Sequence, residues 1–200
     1  MVDGMTPKGV LQKFKEGNLR FVQGKMRHRD YRKEKDLHAE EQNPYAIVLG
    51  CIDSRTPAEI IFDKGLGDIF VARIAGNFVN TDILGSIEFA TKVAGAKLIL
   101  IVGHTNCGAI RFTIDDFQLG NNASILANLK PAVESVTGIP GKRNSKNKKF
   151  VDAVARQNVI LAQKEILDDS PIIRELVDMG KVMIVGCMYD LQTGVVTFFE

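Results

Sequence analysis

Two short stretches hold the residue types best suited to chemistry: GCIDSR at residues 50–55 and GHTNCG at residues 103–108. Cys51, His104 and Cys107 would together offer two thiolates and one imidazole, a donor set that suits zinc. Three protein donors leave the fourth tetrahedral position to water or substrate, as in catalytic rather than structural zinc sites. Neither half is specific alone: a Cys at a strand end is usually a small apolar core residue, and HxxC is a common accident. The halves together, each closing an apolar run, are far more specific. Asp53 comes two residues after Cys51, close enough to accept a hydrogen bond from a metal-bound water or to ligate the metal itself. Arg55 decides between these, because a bidentate guanidinium–carboxylate pair would hold Asp53 off the metal. Without the flanking ligands the two would read equally as an ordinary ion pair.

The elements that must position these groups are those of an α/β domain. YAIVLGC (45–51), DIFVARI (68–74), AKLILIVGH (96–104) and KVMIVGCMY (181–189) are nearly continuous apolar runs rich in Ile and Val. Such runs predict parallel strands covered on both faces. GVVTFFE comes after the fourth run and a turn too short for a crossover, which predicts an antiparallel edge strand. The expected architecture is a central, mostly parallel sheet of about four parallel strands plus that edge strand, flanked by helices. Helices are expected over PAEIIFDKG, over TDILGSIEFATKVAG, and from Ser124 to Met179 with breaks near 138–145 and at Pro171. In an open parallel sheet functional groups gather at the carboxyl ends of strands, which is where Cys51 and His104 fall. Cys107 lies where strand turns into helix, and a helix N-terminus favours a thiolate. Cys187, ending the fourth run, reads as a core residue.

The chain reads as one domain over residues 1–200, with residues 1–40 a charged, periodic helical arm outside the sheet. Its stripe of Leu11, Phe14, Leu19, Phe21 and Val22 suggests a partner subunit to cover it. Lys and Arg number 26 against 24 Asp and Glu, a net charge of +2 that gives no electrostatic case for nucleic acid or an anionic membrane. GKRNSKNKK (141–149) reads as a solvated loop, and His28 and His38 as surface residues. With no secretory h-region and no spanning run, a soluble, cytoplasmic protein is expected, and three cysteines do not make a disulfide framework.

At CIDSR and HTNCG the chain resembles the β-class carbonic anhydrases, and agreement continues through PAEIIFDKGLGDIFVARIAGN (57–77) and LGSIEFA (84–90). The resemblance implies one zinc per chain on Cys51, His104 and Cys107, with Asp53 and Arg55 as the catalytic dyad beside it. It implies a zinc lyase that reversibly hydrates CO2 to bicarbonate and a proton by a metal-bound hydroxide, in a homodimer or homotetramer. Two thiolates should make bound water less acidic than histidine ligands would, so an alkaline activity profile is expected. Gln42 matches a bicarbonate-binding glutamine, often reaching across the subunit interface. Gly108 matches a backbone N–H near zinc, and Phe70, Ala75 and Phe89 match the apolar pocket wall. Arg73, Gly76 and Asn77 match the loop under the site.

The chain also departs from the pattern. Phe89 stands where many relatives carry Tyr, Ile52 replaces a frequent Ser, Phe112 is bulky, and there is no Trp to build the noncatalytic bicarbonate site of the allosteric subgroup. The nonallosteric type is therefore expected, with Asp53 off the metal at neutral pH. Carbonyl sulfide or carbon disulfide hydrolysis is the alternative enzyme reading. A noncatalytic zinc-holding interaction subunit is the third, against which the retention of Asp53, Arg55 and Gln42 counts.

Overall fold

The four apolar runs form parallel strands β1 (Ala46–Gly50), β2 (Ile69–Arg73), β3 (Leu98–His104) and β4 (Met183–Tyr189) in the computed structural model, which describes residues 4–199. A short β5 (Val196–Phe198) pairs antiparallel with β4, giving the order β2-β1-β3-β4-β5. Every residue of β1 and β3 is buried, as the runs predict. Alternate β1 side chains serve opposite faces: Ala46 and Val48 pack with Val10 and Phe14, whereas Ile47 and Leu49 pack with Val159 and Ala162.

β2 corrects the expectation of four strands covered on both faces. It ends the sheet, and its residues Ile69 to Ala72 are only half-buried. The run was apolar enough for a central strand, but among the described residues of one chain nothing pairs with its outer edge.

The helices are α1 (Pro7–Val22), α2 (Tyr31–Leu37), a single-turn α3 (Ala58–Ile61), α4 (Thr81–Glu88), α5 (Gly108–Ile114), α6 (Ala123–Ser135), α7 (Lys148–Asp169) and α8 (Pro171–Asp178). α4 runs on into a π-helical turn at Phe89–Val93. The expected break lies between α6 and α7, and Lys148 and Lys149 of the GKRNSKNKK stretch already belong to α7. α8 starts with Pro171 after the Ser170 cap, whose hydroxyl accepts from the Ile173 N–H.

Part of the stripe on α1 is covered within the chain itself. Val10 and Phe14 are fully buried, Phe14 sits edge-on to Phe62 at 5.0 Å, and Leu19 and Val22 remain exposed. Gly17 allows this contact, since a Cβ there would lie 2.0 Å from the Phe62 carbonyl oxygen. Buried Asn18 ties the helix to the far end of the chain, donating to the Ile61 and Gly194 carbonyls and accepting from the Val196 N–H. Phe14→Ala is expected to cost about 3–5 kcal/mol in urea denaturation. A loss below about 1 kcal/mol, the size of a surface change, would show that α1 does not dock on its own chain.

Candidate metal centre

β1 and β3 are neighbours in register, Gly50 opposite Val102, so the residue just past β1 and the residue that ends β3 emerge at the same edge of the sheet. Cys51 and His104 therefore meet, and the turn after β3 returns Cys107 to them as the N-cap of α5. The ligand atoms of the three residues lie within 4.8 Å of one another, with the sulfurs 3.9 Å apart, and all three side chains are at least 95% buried. They form the only such group among the described residues. His28 and His38 are exposed and outside it, and Cys187 lies in the core with its thiol pushed up by burial.

The histidine leaves one ring nitrogen free for a ligand role. Its Nδ1 is 3.0 Å from the Thr105 carbonyl, which can only accept, so Nδ1 carries the proton and Nε2 keeps its lone pair. Nε2 is buried with no hydrogen-bond partner among the described residues. A buried, unpartnered acceptor is costly, and a cation between it and two sulfurs would satisfy it. In the protein alone the two thiols share protons unequally: Cys51 is lowered, first by the hydrogen bond from Cys107, and Cys107 is raised by the same contact and by burial.

Asp53 is turned toward Arg55. Its Oδ1 accepts from the Arg55 backbone N–H at 3.0 Å and from Nε at 2.9 Å, and its Oδ2 accepts from Nη2 at 2.7 Å. That clamp holds its carboxyl down at about 2. Oδ2 nevertheless lies 4.0 Å from His104 Nε2, next to the donor group. Arg73 braces the stretch from below, donating to the Cys51 and Asp53 carbonyls at 2.8 and 2.5 Å. Gly76 donates its N–H to Cys51 Sγ at 3.3 Å. It needs to be glycine, with φ +83° and a would-be Cβ 2.6 Å from Leu129.

A cavity of about 360 Å3 opens beside the group. Cys51, Asp53, Ala75 and Gly108 line it, as does Phe112, the bulky departure. Phe70 and Phe89 do not: Phe70 of β2 and Phe89 of the π-helical turn pair with each other at 6.4 Å in a separate depression between β2 and α4. Gln42 is exposed in the segment before β1 and is likewise not part of this lining.

Four contributors have no counterpart among the residues expected from the sequence. Phe117 and Leu119, in the turn after α5, complete the apolar wall, and no motif marks them. Asp152 of α7 accepts from the Asn106 N–H at 2.8 Å, holding the HTNC turn where Asn106 adopts φ +54°. Asn158 is buried and donates to the Gly76 carbonyl at 2.8 Å, so α7 anchors the glycine whose own N–H reaches Cys51. A signal for it existed: Val151, Ala155, Asn158, Ala162 and Ile166 recur at helical spacing, all buried, with one polar residue among them.

Residues 46–196 match the family model described as "Carbonic anhydrase". Carbonic anhydrase 2 of Mycobacterium tuberculosis is 36% identical over 194 residues, covering 94% of this chain and 90% of that protein. The carbonic anhydrase of Mycolicibacterium smegmatis is also 36% identical, covering 94% and 91%. Among solved structures, a tetrameric β-carbonic anhydrase of Sordaria macrospora superposes with a TM-score of 0.70 at 28% identity, covering 84% of this chain and 89% of that one.

Proposed function

The chain belongs to the β-class carbonic anhydrases, and from that premise we propose that it hydrates CO2 reversibly to bicarbonate and a proton, with zinc held by Cys51, His104 and Cys107. The observation that carries this reading is the buried, unpartnered His104 Nε2 facing two cysteine sulfurs while Asp53 is drawn aside by Arg55. Zinc on such a donor set would supply Lewis acidity, the means by which water becomes a nucleophile near neutral pH. The chain's own residues do the rest. Asp53 Oδ2 stands as a hydrogen-bond acceptor for an attacking water, Arg55 fixes where that oxygen lies, and Arg73 holds the Asp53 backbone beneath it. Ala75, Phe112, Phe117 and Leu119 give a neutral, apolar substrate a wall that sheds water, and bicarbonate, being charged, leaves it readily.

Phe70, Phe89 and Gln42 lie apart from their own chain's cavity, so in this reading they act from a second copy, in a dimer or a tetramer. The half-covered edge of β2 and the exposed face of Phe89 support that placement. Stopped-flow CO2 hydration on protein of known zinc content tests the activity. Rapid, zinc-dependent hydration that rises toward alkaline pH is expected. One zinc per chain with no hydration would sink the reading, and turnover of carbonyl sulfide under those conditions would replace it with the sulfide-hydrolase alternative.

Asn158 serves as a positioning residue in this scheme. Asn158→Leu keeps the branched shape and removes the donor to Gly76, and zinc affinity is expected to fall about 10- to 100-fold. Competition with a chelator reads this, and the thiolate charge-transfer band of the cobalt-substituted protein should shift with it. Val159→Ala, on the same helix but packed in the sheet core, should lower stability without moving either readout.

A further inference from the structure

A second place in the fold meets the chemical requirements for handling CO2, and it lies among residues the metal centre does not use. Where α1 and the segment after it meet the turn beyond α3, a cavity of about 200 Å3 is lined by Lys64, which is only 5% exposed. Its Nζ donates to the Lys13 carbonyl at 3.0 Å and stands 4.5 Å over the Phe14 ring and 5.4 Å over the Tyr45 ring. Among the described residues it is in no ion pair.

The carboxylates nearby are engaged elsewhere. Asp63 accepts from Arg20 Nε at 2.5 Å and from the Arg27 backbone N–H at 3.2 Å. Asp68 accepts from the Gly65 N–H and lies 3.7 Å from Arg29, which also pairs with Glu34, while Glu16 is exposed and accepts from Gln12. Among the described residues, the side chains of Lys13 and Arg27 line the same cavity without an ion pair, and the Tyr45 hydroxyl there makes no hydrogen bond. The cavity thus gathers uncommitted donors around one buried amine.

We propose that Lys64 is a site of reversible carbamylation by CO2, the carbamate being held in this cavity by the Tyr45 hydroxyl and the cationic side chains of Arg27 and Lys13. The neutral amine attacks the carbon of CO2: an N–C bond forms, one C=O electron pair moves onto oxygen, and the nitrogen releases a proton to solvent. No oxidant or further reactant is needed. Burial without a counter-ion lowers Lys64 to about 8. At pH 8 its neutral fraction is then on the order of a hundredfold larger than that of an exposed lysine. The cavity has room, since a water occupies only about 30 Å3 and a carboxylate little more. Lys13 belongs to α1, Tyr45 immediately precedes β1, and Arg27 lies in the segment between, so the carbamate would join the arm to the body of the chain in proportion to dissolved CO2.

The test uses the zinc-loaded, full-length protein equilibrated with 13C-labelled CO2 at a fixed dissolved concentration, at about pH 6.5 and about pH 8.5, either side of the Lys64 midpoint. Trialkyloxonium alkylation then fixes carbamates as esters for peptide mass spectrometry. The labelled ester is expected on Lys64 at least several-fold above its level on exposed Lys130 and Lys164, rising between the two pH values. Lys64→Arg should abolish it, and Tyr45→Phe, which keeps the ring under the amine, should lower it. An occupancy no higher than on Lys130 and Lys164, or one that does not rise with pH, overturns the proposal. The adduct requires only dissolved CO2, so its absence would leave the reading of the metal centre untouched.

Discussion

A Cys107→Ser chain is expected to fold, to keep far less than one zinc per chain after dialysis, and to lose CO2 hydration by at least about 10³-fold. Folding should survive because Cys107 occupies the N-cap of α5 without making a side-chain cap bond, a position where serine is among the preferred residues. Zinc should not survive, because a serine hydroxyl remains protonated where a thiolate would bind and only Cys51 and His104 would be left. The control is Cys187→Ser. That sulfur is equally buried but belongs to β4 and lies in the hydrophobic core, outside the donor group, so the change should cost stability while zinc and turnover remain. Metal analysis and stopped-flow assays on both variants decide the matter. Equal zinc in the Cys107 and Cys187 variants would remove Cys107 from the ligand set.

Arg55→Ala should lower turnover about 100-fold or more, the scale of a positioned acid–base group, while zinc stays bound. The reason is geometric. Arg55 holds both oxygens of Asp53 through three hydrogen bonds, yet Oδ2 is already within 4.0 Å of His104 Nε2. Of those bonds only the backbone one to Oδ1 would remain, leaving Oδ2 free to turn onto the metal position. Arg55→Lys should not restore activity, since an ammonium cannot grip both carboxylate oxygens in the plane of a guanidinium. Cobalt-substituted protein provides the second readout. Its visible spectrum should change in Arg55→Ala toward that of a site closed by four protein donors. An unchanged spectrum together with near-normal turnover would reduce the pair to a surface ion bridge, consistent with Arg55 being half exposed.

The Cys51, His104 and Cys107 group was legible because its parts are local. CIDSR and HTNCG each sit where an apolar run stops, and a parallel sheet brings such stops to one edge whatever the details of packing. The pocket was less legible. Ala75 and Gly108 line the cavity beside the donor group, whereas Phe70 and Phe89 lie in a separate depression against β2, the outermost strand, and an apolar run looks the same at an edge as at the centre. Phe117 and Leu119 enter the wall through a turn that carries no pattern.

By itself the sequence determined the strands, their parallel arrangement, the two cysteines and one histidine that would bind zinc, and the carboxylate–guanidinium pair beside them. These come from periodicity and short-range spacing, which the chain cannot disguise. Tertiary structure alone decided which strand lies at the edge, that Phe14 docks α1 onto Phe62, that Asn158 reaches Gly76 across 82 residues of chain, and that Lys64 is enclosed without a counter-ion. Hydrophobic burial is non-directional, and hydrogen bonds between distant residues leave no trace in spacing, so both are settled only when the elements pack.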